Sequence, residues 1–157
     1  MRNHWYKWGL RGIAALGGWL LLNGLFLEHY FFRIKQFDIG KKKGRKRLKL
    51  LLLTDLHLKN HYWPYYARLV RTINGLQPHL ILISGDMLDA KGNIEVLEKM
   101  LHSIHRHIPK AAILGNHDHV NKAHNQKIAA VLARNNGQLL INRSHAFDLC
   151  GERILIT

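Results

Sequence analysis

The stretch His79-Leu80-Ile81-Leu82-Ile83-Ser84-Gly85-Asp86-Met87-Leu88-Asp89 decides the fold. Its continuous apolar run suits a central parallel strand covered on both faces, and Gly85 permits a tight exit toward a carboxylate. The same pattern stands on either side. Residues 48–54, nearly all Leu, lead into Asp55-Leu56-His57, and residues 111–114 lead into Gly115-Asn116-His117-Asp118. Asp55 and Asp86 are 31 residues apart and Asp86 and Asn116 are 30 apart, the length that a strand, a turn, a helix and a return turn consume. In an open α/β sheet, ligands bind outside the carboxyl ends of the strands, so the three polar clusters are expected to converge there.

The intervals carry helix signals. Residues 65–76 are expected to be helical, with Pro64 suited to the first turn and Gly75 near the end. Asn93 caps a second helix in which Ile94, Leu97, Leu101 and Ile104 recur at helical spacing, Glu95 complements the dipole and Pro109 ends the run. A third helix, over 122–135, buries Ile128, Val131 and Leu132 and stops at Gly137. Short strands are expected at 139–141, 146–149 and 153–157. Leu alone would suit a helix in 48–54, and the Thr-Asp-Leu-His turn arbitrates for strand.

With 157 residues and a formal net charge of +14, the chain has room for one modest domain. Half of its 24 Lys and Arg residues precede Leu50, so the basic character belongs to the amino-terminal region. Residues 12–27 are apolar except for Asn23, and Trp5, Tyr6 and Trp8 on one side and Tyr30, Phe31 and Phe32 on the other have the character of interfacial belts. No small-residue cleavage site follows, so an uncleaved single-pass anchor is expected; a surface-lying amphipathic helix is the alternative. Lys41-Lys42-Lys43-Gly44-Arg45-Lys46-Arg47 then places the remainder in the cytoplasm by the positive-inside rule, and it suits a solvated linker or attraction to anionic lipid. The expected organisation is a tail and transmembrane anchor over 1–32, a basic juxtamembrane linker over 33–47 and a catalytic-type domain over 48–157. Cys150 is the one cysteine, which rules out an intramolecular disulfide or a Cys-based zinc finger; it is expected to be a core thiol.

Asp55 and His57, two apart on an extended segment, can meet one ion, and a carboxylate at Asp86 can bridge two. Asn116 offers a neutral oxygen ligand, and His117 a proton for a leaving group. Each fragment alone also suits a turn or cap, and Asp89 suits the turn that follows Gly85 better than a metal. Three clusters in α/β register argue for a site.

These residues resemble the calcineurin-like metallophosphoesterase family, whose blocks run D-x-H, G-D-x-x-D and G-N-H-D; Asp55–57, 85–89 and 115–118 match them in order. The resemblance covers residues 48 to the end, and the anchor with its basic linker is similar to the membrane-bound bacterial branch, which implies an inner-membrane location. It implies the amino-terminal half of a four-layer sandwich of βαβαβ units preceded by a transmembrane helix. It further implies two divalent ions (Mn, Fe or Zn), the first held by Asp55 and His57, the second by Asn116, with Asp86 shared. His117 would contact phosphate and assist the leaving group, and Asp118 would orient its ring.

The family pattern continues with a further histidine and a Gly-His-x-His segment that these residues do not contain. The domain is therefore expected to be partial, to expose an apolar face and to turn over little substrate. The functional reading is a phosphodiester or pyrophosphate hydrolase, with UDP-2,3-diacylglucosamine of lipid A assembly as one candidate. Two alternatives stand beside it: a non-catalytic membrane-associated remnant that binds anionic lipid or a partner, and a nuclease or nucleic-acid binder. The charge pattern disfavours nucleic acid, because aromatics are not interleaved with the Lys/Arg run. No positional argument attaches to His61, His124 or His145; His102, His105 and His107 suit a helix end, and His119 a surface.

Overall fold

The computed structural model describes residues 9, 11–14, 16–19, 32–40, 47–118 and 122–157. The chain divides into two units, Met1–Ile39 and Gly40–Thr157. In the first, residues 11–14 and 16–19 are helical. Among the described residues no helix is long and apolar enough to cross a membrane, so the expected span is not supported there; residues 20–31, which carry the rest of it, lie outside the described residues. Most of the basic run, 41–46, also lies outside them.

The second unit is built on a four-stranded sheet in the order β1 (Leu50–Leu53), β2 (Leu80–Ile83), β3 (Lys110–Ala112) and β4 (Gly137–Leu139). All three pairings are parallel, with Leu50 opposite Leu80, Ile81 opposite Lys110 and Lys110 opposite Gly137. Helices α1 (Pro64–Leu76), α2 (Ile94–Ser103) and α3 (Lys122–Arg134) make the crossovers. Strands that follow one another in sequence and in space, joined by right-handed crossovers, put all three helices on one face. Leu69, Val70 and Ile73 of α1, Leu97, Met100 and Leu101 of α2, and Ile128, Val131 and Leu132 of α3 are buried. This is the mixed α/β arrangement that the spacing of the clusters requires.

Local chemistry sets the boundaries. Pro64 opens α1, whose last turn contains Gly75, while Gln77 takes the left-handed conformation at its end. The Asn93 carboxamide accepts the Glu95 amide at 2.9 Å, and α2 ends at Ser103, well before Pro109. Strands β3 and β4 begin earlier than the apolar runs suggest, because Lys110 and Gly137 already pair. Hydrogen bonds from Ile113 to Ile83 and from Leu140 to Ala112 continue the pairing past the strand ends.

On the other face lies an antiparallel hairpin, β5 (His145–Leu149) with β6 (Glu152–Ile156). Phe147 and Leu149 pack with Leu80, Ala111 and Leu140. Cys150 and Gly151 form its two-residue turn, both with positive φ, the geometry of a type I′ turn. That corrects the expectation for Cys150, which is exposed at the turn rather than buried. The hairpin covers the face only partly: Leu50, Leu52 and Ile113 are exposed.

Candidate metal centre

Three sheet strands end at one crest. Beyond β1 and β2 the loops stay paired: the His57 amide donates to the Asp86 carbonyl at 2.9 Å, Leu58 to Met87 at 3.0 Å and Asp89 to Leu58 at 3.0 Å. The backbone is strained where the chemistry lies. Asp55, His57 and Asp86 all have positive φ, at 51°, 39° and 48°, which non-glycine residues adopt at a cost of order 1–3 kcal/mol each. Gly85 is needed for its positive φ, 99°, and for want of space. A Cβ there would strike the backbone of Gly115, and a Cβ on Gly115 would strike the Asp86 carboxylate and amide. The tips of β2 and β3 therefore approach closely enough for residues on one to orient residues on the other.

The Asp86 carboxylate shows the result. Its Oδ1 accepts the His117 amide at 2.9 Å, and its Oδ2 lies 4.0 Å from His57 Nε2. Fixing one oxygen by a backbone amide aims the other into the site, the usual way a ligating carboxylate is oriented. Asp55, His57 and Asp86 each offer a ligand atom within 4.8 Å of the others'. Two carboxylates and an imidazole are hard-to-borderline donors that fit a divalent first-row ion. Asn116 stands exposed at the same crest, next to His117. The His117 ring meets the His57 ring edge-on, with centroids 5.0 Å apart.

Asp118 departs from expectation. It is fully buried, and its carboxylate accepts the Met87 amide at 3.1 and 3.2 Å, the Leu88 amide at 3.3 Å and the Gly115 amide at 3.0 Å. Among the described residues its hydrogen bonds come from backbone amides and none from the His117 ring. Asp118 clamps the β2 tip to the β3 tip instead of orienting an imidazole. Asp89 holds its own turn, its Oδ1 accepting the Ala90 amide at 2.8 Å.

Several other described histidines have partners elsewhere. His79 Nδ1 accepts the Lys49 amide at 2.9 Å, and His105 stands 3.0 Å from Gln77 Nε2 and beside His107. His145 stacks edge-on with Phe147, and His119 lies outside the described residues. Two contributors escaped the sequence reading. The Tyr66 hydroxyl accepts the Lys59 amide at 3.0 Å and so anchors the loop after β1; burial raises its phenol above the ordinary range. Asn142 and Arg143 follow β4 as a fourth strand tip, and Asn142 also has positive φ, at 49°. The signal was present: an apolar run ending at Ile141 and then a polar pair, 26 residues after Asn116.

A parallel α/β sheet thus presents two carboxylates and an imidazole at its carboxyl edge, a donor set that fits a divalent metal ion. Residues 48–153 match the model of the calcineurin-like phosphoesterases, and the chain belongs to that family. It is 32% identical over 121 residues to the uncharacterized metallophosphoesterase YkoQ of Bacillus subtilis, covering 72% of this chain and 44% of that protein. An uncharacterized metallophosphoesterase of Helicobacter pylori is 30% identical over 99 residues, covering 59% of this chain and 26% of the relative. The UDP-2,3-diacylglucosamine pyrophosphatase LpxG of Chlamydia trachomatis is 31% identical over 100 residues, covering 59% of this chain and 30% of the relative. The chain spans less than half the length of these relatives.

Proposed function

We propose that this chain carries the metal-binding crest of a phosphoesterase that cleaves a phosphodiester or pyrophosphate bond. The observation that supports it is the convergence of Asp55, His57 and Asp86 at the carboxyl ends of adjacent strands. Asp55 and His57 would hold the first divalent ion, Asn116 the second, and Asp86 would serve both. Bound there, Mn, Fe or Zn would neutralise phosphoryl charge and make water a better nucleophile at neutral pH. His117, exposed beside His57, contacts the phosphoryl group and delivers a proton to the departing oxygen. Asp118 holds the two tips in register.

The apolar run at 12–27 and the basic run after it support attachment to the inner membrane with the domain on the cytoplasmic side. At a membrane surface a lipid-linked phosphoester is the natural substrate, and LpxG, named for a diacylglucosamine pyrophosphatase, lends weight to that class. UDP-2,3-diacylglucosamine is the specific candidate.

The test is hydrolysis of bis(4-nitrophenyl) phosphate by the purified chain, with and without Mn²⁺, beside Asp86→Asn. Mn²⁺-dependent turnover, however slow, that disappears in the variant supports the reading. Turnover that persists in the variant overturns it. A folded chain that binds Mn²⁺ but turns over nothing is the non-catalytic remnant.

A further inference from the structure

The loop after β1 exposes an aromatic group that the metal centre does not use. Residues 59–66 include Tyr62, Trp63, Tyr65 and Tyr66. The three tyrosines hold one another: Tyr62 and Tyr65 each meet the Tyr66 ring edge-on, with centroids 5.8 and 5.6 Å away, and the Lys99 ammonium lies over the Tyr62 ring at 4.6 Å. The Tyr66 hydroxyl, accepting the Lys59 amide, ties this ledge to the loop backbone. Trp63 is left out of the packing. It is 46% exposed, and its indole has no hydrogen bond or ring contact among the described residues. A large apolar ring held in the open beside an aromatic ledge suits a boundary between water and an apolar phase, where Trp buries its body and keeps its N–H wet.

The charge around it is of one sign. Between Asp55 and Asp86 the sequence carries Lys59, Arg68 and Arg71 and no acid, and all three are exposed. Arg68 and Arg71 follow Pro64 by four and seven residues. At the α-helical rise they lie about 6 and 10 Å along α1 from the loop, within a Debye length of roughly 10 Å at 0.1 M salt. Of the acids on the neighbouring α2, Glu98 is drawn to Arg134 of α3 at 2.8 Å, and Glu95 sits in the first turn, where the helix dipole offsets its charge.

We propose that this loop is a membrane contact of the domain itself: Trp63 enters the interface of an anionic bilayer, and Lys59, Arg68 and Arg71 are held by its headgroups. The inference goes beyond attachment through residues 12–27 and rests on that reading only for the nearness of a membrane. The loop begins two residues after His57, at the same end of the sheet as the metal crest. A lipid surface brought there is where a lipid-linked phosphoester would enter.

The other tryptophans of the chain are Trp5, Trp8 and Trp19. The full chain carrying Trp5→Phe, Trp8→Phe and Trp19→Phe therefore reports Trp63 alone. It is reconstituted into vesicles of phosphatidylcholine, or of phosphatidylcholine and phosphatidylglycerol in equal parts, with and without brominated phosphatidylcholine, which quenches indole fluorescence only at near contact. Each basic residue close to an anionic surface strengthens attachment roughly fivefold, so bromine in the anionic vesicles should at least about halve the Trp63 emission. In phosphatidylcholine alone the effect should be small. Lys59→Gln combined with Arg68→Gln should remove most of the quenching; the comparison of the two lipid compositions carries the test if that variant folds poorly. Emission indifferent to bromine, quenching as strong without phosphatidylglycerol, or quenching that survives in the folded double variant overturns the inference. Failure of the amino-terminal anchor looks different: alkaline carbonate then releases the chain from the vesicles, while Trp63 quenching in anionic vesicles persists.

Discussion

Replacing Asp118 by Ala tests what holds the crest together. Its carboxylate is fully buried and accepts the amides of Met87, Leu88 and Gly115, so removal strands three backbone donors on two different loops. A hydrogen bond to a charged acceptor contributes roughly 1.5–3 kcal/mol, and a buried donor left unpaired costs about 1–3 kcal/mol. The three bonds share one carboxylate and are not additive, so the expected loss is about 4 kcal/mol. Against a typical domain stability of roughly 5–15 kcal/mol, that is a large fraction. In urea unfolding followed by circular dichroism, with a slope near 2 kcal/mol/M, the midpoint should fall by about 2 M. Asp118→Asn keeps one oxygen acceptor and should lose about half as much. A loss under about 1 kcal/mol for Asp118→Ala, the size of an ordinary surface change, would refute the clamp. In that case the expectation that Asp118 serves the His117 ring would regain its standing.

Other substitutions bear on the same account. Gly115→Ala should weaken Mn²⁺ binding at least about tenfold, or 1.4 kcal/mol, because the new Cβ meets the Asp86 carboxylate and amide; calorimetric titration reads it. Lys110 is buried with its ammonium bonded to the carbonyls of Ile108 and Asn135, and burial lowers its pKa from 10.5 to about 8. The folded chain therefore releases this proton at a pH where the unfolded chain still holds it, and stability from Lys110 rises as pH climbs from about 8 to about 10.5. Urea midpoints at pH 7.5 and 10 should show a smaller rise in Lys110→Met than in the wild type; equal rises would contradict the assignment. Asn93→Ala removes the one side-chain cap of α2 and should cost about 1 kcal/mol in the same unfolding measurement.

The crest was legible in the sequence because three apolar runs end in polar residues at the interval of a βα unit, and each run survives as a strand within two or three residues of its expected ends. The helix of 94–103 was legible for the same kind of reason, an Asn cap followed by apolar residues at helical spacing. What escaped depended on contacts between residues distant in sequence. Nothing local tells that Asp118 turns inward to the amides of Met87 and Leu88, or that Lys110 is a buried strand residue bonded to the carbonyl of Asn135. Cys150 was misread because its residue type favours a core, whereas its place before Gly151 makes it half of a hairpin turn. Arg143 went unnoticed because β4 carries no carboxylate or histidine at its tip.

The most direct test of the account is Mn²⁺ binding to the purified chain, measured by calorimetry or electron paramagnetic resonance, beside Asp86→Asn. The account predicts saturable binding in the wild type and its loss in the variant, because it assigns Asp86 as a ligand to both ions. Binding of equal strength in the two proteins would contradict it and would remove Asp55, His57 and Asp86 from the role assigned to them.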